Sequence, residues 1–117
     1  MSDRLDLTAL QELQEIMEED FTLLIETFIN DARERYADIE KAVGDWQRLR
    51  RAAHAFKGSS SNIGARRLAK LCQRLELYCI ESQEPHGVAE QVAAIETEMH
   101  AVSEALNARY LSSATKT

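Results

Sequence analysis

Apolar residues recur three, four and seven positions apart through four successive stretches of this chain, the period of helices that each bury one stripe. The longest stretch begins near Asp20 and runs through Phe21, Leu24, Ile25, Phe28, Ala32, Ile39 and Val43 to a stop at Gly44. Asp45 is placed to cap the next, whose inner side is Leu49, Ala52, Ala53, Phe56, Ser60 and Ile63, with Gly64 as its C-terminal glycine. A third, from about Ala65 through Ile80, turns Leu68, Leu71, Cys72, Leu75 and Cys79 inward, and Pro85 with Gly87 breaks it from the last. In that last stretch Val88, Val92, Ile95, Met99, Val102 and Leu106 keep a near-heptad spacing, the narrow seam of a helix lying almost parallel or antiparallel to its neighbours.

Four long amphipathic helices cannot bury their stripes singly, and short connections force consecutive helices antiparallel. The expected fold is all-α: an antiparallel up-down-up-down four-helix bundle with a short N-terminal covering helix. That first helix, TALQELQEIM, opens on Thr8 and Gln11, the spacing of a capping box. The segment EIMEEDF either interrupts it or fuses it to the next. One proline and four glycines in 117 residues argue against a many-turned sheet, and the length suits one domain. We expect a single domain over 1–112 and a frayed polar tail over 113–117.

The start of the chain lacks a basic stretch followed by an apolar block, and no apolar run approaches bilayer length, so the expected location is cytoplasmic, away from membranes. Cys72 and Cys79 lie about 10 Å apart along one helix, too far for a mutual disulfide, and read as reduced apolar side chains. The net charge of −6 hides an asymmetry: Asp45–Arg74 holds eight Lys or Arg against one acid, +7, on a body of −13. Such a patch suits an acidic protein surface. Nucleic acid is disfavoured, because aromatics are sparse there and no base-reading motif accompanies the charge.

Around the third-stretch neighbour, the helix that begins at Asp45, about 100° per residue places Arg50, Gly58 and Ser61 within roughly 40° of His54, and Lys57 and Arg51 within roughly 60°; Ala52, Phe56 and Ile63 lie opposite. His54 therefore faces solvent. An exposed histidine is by itself an ordinary surface residue, but three neighbours give it a chemical context. Gly58 costs roughly 0.5–1 kcal/mol against alanine inside a helix and leaves bare backbone one turn from the imidazole. Lys57 supplies a mobile point charge of the kind that neutralises phosphoryl oxygens. Glu76, on the flank of the following apolar stripe, either orients the imidazole by accepting from Nδ1–H or serves as a solvated partner of Arg74 or Lys57.

The segment AHAFKGSSSNIGARRLAKLCQRLE, Ala53–Glu76, resembles the signature of the histidine-containing phosphotransfer family: a histidine, two residues, Lys-Gly, then a glycine and an amphipathic helix. The predicted bundle is similar to that family over about the whole chain, and the length suggests a stand-alone bacterial member. The resemblance implies that His54 is phosphorylated on Nε2, that Lys57 helps hold the phosphoryl group, and that Gly58 admits a receiver domain. Glu76 stands where many relatives have glutamine and others glutamate. The implied partners are receiver domains of hybrid sensor kinases and of response regulators, with no cofactor bound by this chain and magnesium supplied by the receiver. Arg50, Arg51, Ser61, Arg66, Arg67 and Lys70 match no fixed family identity; the basic ones are assigned to partner binding from charge, and Ser61 from its place beside His54.

Two rival readings remain. In one, the chain is an adaptor that docks an acidic partner through its basic face and is never phosphorylated. In the other, Glu96 and His100, four apart, begin a metal site, although no second Glu/His pair faces them and His86 and His100 read equally well as surface residues. No Gly-rich phosphate loop or carboxylate cluster accompanies His54, which disfavours a kinase acting alone on ATP. The apolar stripes are all used inside the bundle, so a monomer is expected.

Overall fold

A computed structural model describes residues 4–111. The first helix, α1 (Leu7–Met17), is capped by Asp6, whose Oδ1 accepts from the Ala9 amide at 3.1 Å, and not by the expected box on Thr8. Asp6 wins because tertiary structure holds it: its own N–H donates to the Gly64 carbonyl at 2.8 Å, fixing the chain just before the helix. Buried Leu5 and Leu10 then set α1 against the bundle. The helix does not fuse with the next. Glu18 takes φ +51°, a single 3₁₀ turn follows over Glu18–Asp20, and α2 (Phe21–Ala42) begins.

Helices α3 (Trp46–Asn62), α4 (Arg66–Glu81) and α5 (Pro85–Leu106) complete the fold, and a π turn over Asn107–Leu111 ends the described chain. Connections of three residues turn each long helix back along its predecessor, and α2 also packs on α5, closing an antiparallel four-helix bundle. Helix termini follow the local chemistry. Asp45 accepts from the Arg48 amide at 3.1 Å, and Gly44 and Gly64 take φ +103° and +80°, which a Cβ opposes. Pro85 occupies the first turn of α5, where its missing N–H costs nothing. Gly87 lies inside that turn, because a Cβ there would collide with the Tyr78 hydroxyl, which itself donates to the Glu84 carbonyl at 2.7 Å.

The core contains nearly every residue of the four stripes. Val43 is the exception: α2 ends at Ala42, and Val43 sits 51% exposed in the connection. Leu24, Ala52 and Leu71 are half-buried. Tyr36 and Ala42 join the α2 face, and Glu98 is buried within the α5 stripe. Both cysteines are free and buried, and burial pushes the Cys72 thiol up to about 12. The expected tail, 113–117, lies outside the described residues.

Candidate functional site

Buried Ala53 and Phe56 lock one side of α3 into the core, which turns His54 outward with its side chain 64% exposed. On the facing helix, buried Cys72, Leu75 and Cys79 leave Glu76 at the α3–α4 seam, only 13% exposed. The two meet: His54 Nδ1 lies 2.8 Å from Glu76 Oε2. Lys57 Nζ, one turn along α3, lies 2.8 Å from the other oxygen, Oε1. The two readings of Glu76 are therefore compatible, since one carboxylate orients the imidazole and holds the lysine at the same time.

Burial raises the Glu76 pKa, but the hydrogen bonds and charges of Lys57 and His54 outweigh it and hold the carboxyl below its usual range. An ionised carboxylate accepts from Nδ1–H, and this tautomer leaves the Nε2 lone pair free on the exposed side of the ring. That is the form a nucleophilic histidine needs.

Gly58 is exposed, and a Cβ added to it would meet nothing within 4 Å. Packing does not require this glycine, in contrast to Gly87. Its bareness instead lowers the surface beside His54. Ser61 is exposed two turns on, and its carbonyl accepts from the Gly64 amide at 3.1 Å.

The basic residues clustered in sequence are spread over several surfaces of α3 and α4. Arg50 is half-buried and near enough to Cys79 to act on its thiol, which places it at the α3–α4 seam. Arg51 lines a recess between α2 and α3 with Asp38 and Arg48. Arg66 Nη2 is 3.8 Å from Asp6 Oδ1, toward α1. Arg67 is turned toward α5, its Nε 3.9 Å from Glu98 Oε1, and with Lys70, Leu71 and Arg74 it lines an open groove. The reason is helical geometry: nine residues from Glu76, Arg67 is rotated about 180° from the side that faces α3.

Glu98 was missed at the level of sequence. It is 5% exposed, accepts from Arg4 Nε at 2.9 Å and from Arg4 Nη2 at 3.3 Å, and ties the start of the chain to α5. A glutamate set between Ile95 and Val102 in an apolar stripe was the available signal. Glu96 and His100 form only a loose exposed pair at 4.0 Å, and among the described residues no three His, Cys, Asp or Glu side chains are grouped to hold a metal ion.

Comparison with known proteins identifies the family. The Hpt domain family model matches residues 23–105, which include all of α3 and α4. This chain belongs to the Hpt family. Its structure superposes on the crystal structure of histidine-containing phosphotransfer protein B from Pseudomonas aeruginosa PAO1 with a TM-score of 0.84 and 36% identity, covering 92% of this chain and 94% of that one. A rice chain assigned to histidine-containing phosphotransfer proteins matches with a TM-score of 0.79 over 90% of this chain and 79% of the other, and at 18% identity shares the Hpt fold. Sixty-four residues, 54% of this chain, are 36% identical to the sensor protein TorS of Escherichia coli K12, and they span 7% of that much longer protein. Hpt domains are phosphocarriers of two-component phosphorelays. Among the described residues, no helix is long and apolar enough to cross a membrane.

Proposed function

We propose that this Hpt protein carries a phosphoryl group on Nε2 of His54, accepting it from the aspartyl phosphate of one receiver domain and passing it to the aspartate of another. The observation that carries the reading is the Glu76–Nδ1 hydrogen bond behind an exposed ring. In the forward step the Nε2 lone pair attacks phosphorus, the N–P bond forms as the acyl P–O bond breaks, and the aspartate leaves as a carboxylate. The proton on Nδ1 stays in place, so the ring gains positive charge and Glu76 stabilises it electrostatically. Lys57 Nζ is within one turn of His54 and moves from Glu76 Oε1 toward the incoming phosphoryl oxygens.

The rest of the chemistry belongs to the partner. Positioning and charge stabilisation dominate phosphoryl transfer, and the receiver brings magnesium and its own acidic pocket. This chain acts as a cytoplasmic monomer without a nucleotide site, and its partners are the receivers of hybrid sensor kinases and response regulators rather than nucleic acid or membrane. Gly58 and Ser61 leave a low surface for the receiver, with Arg50 and Arg51 at its basic edge.

The test is transfer of labelled phosphoryl from phosphorylated receivers to wild type and His54→Gln in parallel. Acid-labile, alkali-stable label on wild type alone is expected. If His54→Gln accepts label equally, or if wild type stays unlabelled by a receiver panel active toward another Hpt protein, the adaptor reading replaces this one.

A further inference from the structure

A groove on the face of α4 turned away from Glu76 is lined by Arg67, Lys70, Leu71 and Arg74 and has a volume of about 260 Å³. These cations follow at i, i+3 and i+7, one face of the helix. Arg67 is engaged with Glu98, whereas neither Lys70 nor Arg74 has an ion-pair partner among the described residues. A groove with two unpaired cations on a chain of net charge −6 is a local inversion of the protein's field.

We propose that this groove is a second docking surface, separate from His54, for a short acidic segment of a partner protein. Two observations define the guest. Lys70 and Arg74 are about 6 Å apart along the helix, close to the roughly 6.6–6.8 Å between side chains two apart in an extended segment, so acidic side chains at that spacing match these two cations. Leu71 gives the floor an apolar centre between them.

The adjoining recess, lined by Leu71, Arg74, Glu90, Gln91 and Ala94, continues the groove toward α5. The assignment is independent of phosphorylation at His54: a partner held here leaves the His54 face open to a receiver.

The experiment uses the full, isotope-labelled chain and an acetylated, amidated peptide of alternating Glu and Leu, followed by backbone amide shifts at low salt. Saturable shifts confined to residues 67–74 and 90–94 are expected. Lys70→Glu with Arg74→Glu should weaken binding about tenfold or more, while Arg50→Glu with Arg51→Glu leaves it within about twofold. Because Lys70 and Arg74 are exposed, the double variant should keep the wild-type helical spectrum; Lys70→Gln with Arg74→Gln is the milder companion and should weaken binding in the same direction. Transfer of phosphoryl to His54 from the small donor phosphoramidate should be unaffected in both. Shifts centred on residues 50–61, no saturation by about 1 mM peptide, or stronger occupancy of the same amides by a short DNA duplex would each overturn the proposal.

Discussion

Glu76 and Glu98 are both glutamates drawn into helix seams, each held by a pair of cationic or protonatable side chains, yet they face opposite requirements. Glu98 meets two guanidiniums, Arg4 at 2.9 Å and Arg67 at 3.9 Å, and so links the segment before α1, α4 and α5. Glu76 meets a lysine and an imidazole at 2.8 Å each, and the imidazole is 64% exposed. The first is an anchor, a buried carboxylate holding two guanidiniums that have no reactive lone pair. The second supports a reactive ring from behind and leaves its other nitrogen to solvent. The difference teaches that a seam carboxylate is read by the chemistry of what it holds, a permanent cation or a ring with a second nitrogen to offer, rather than by its own burial.

The comparison breaks most visibly at Glu98. Glu98→Ala should lower unfolding free energy by roughly 2 kcal/mol, below the 3–5 of a fully enclosed pair because Arg4 stays 37% exposed. Denaturant unfolding measures it, and phosphoramidate labelling of His54 should be unchanged. Glu76→Gln should do the reverse. Losing a charge-assisted hydrogen bond worth about 1.5–3 kcal/mol should slow phosphoryl acceptance roughly 10–100-fold, with stability altered by less than about 1 kcal/mol. Imidazole nitrogen NMR adds a readout that a merely structural role would not move, since the Nε2-unprotonated tautomer should lose its dominance in the variant. If Glu76→Gln unfolds the protein as readily as Glu98→Ala, the division between the two seams fails.

Acid sharpens the same contrast. The Glu76 pKa falls below its ordinary 4.5 on folding, so the unfolded chain binds more protons there than the native state. Its contribution to stability is full above about pH 5.5 and is lost as pH falls through 4.5 to the lowered native value. The stability gap between wild type and Glu76→Gln should shrink across that window in pH-dependent unfolding.

Smaller effects come from the two sides of α3. Gly58→Ala should stabilise by about 0.5–1 kcal/mol, because its Cβ enters open space within a helix, while slowing transfer from a receiver more than from phosphoramidate. Ser60→Ala, on the buried side, should change stability by no more than about 1 kcal/mol and in the favourable direction, since the Ser60 hydroxyl is buried without a partner. Thermal unfolding of both variants checks the pair, and a destabilised Gly58→Ala would show that packing claims the space.

Much of this molecule was legible beforehand because each long helix buries a stripe whose period is a property of the helix itself. Asp45, Gly64 and the α5 seam needed only local rules, and the placement of His54 followed from Ala52, Phe56 and Ile63 lying opposite. Thr8 misled because capping propensity cannot register a backbone hydrogen bond to Gly64, some 58 positions away. Val43 misled because the stripe continued in sequence for one residue after the helix had turned.

The sequence by itself determined the four helices, their buried faces and the outward turn of His54, since rotation about a helix axis is set by residue number. Tertiary structure alone decided that Glu76 reaches both His54 and Lys57, that Glu98 closes on Arg4, and that the clustered cations spread over several surfaces. Those outcomes depend on how adjacent helices are rotated against each other, and that rotation is a compromise among all four stripes rather than a property of any one.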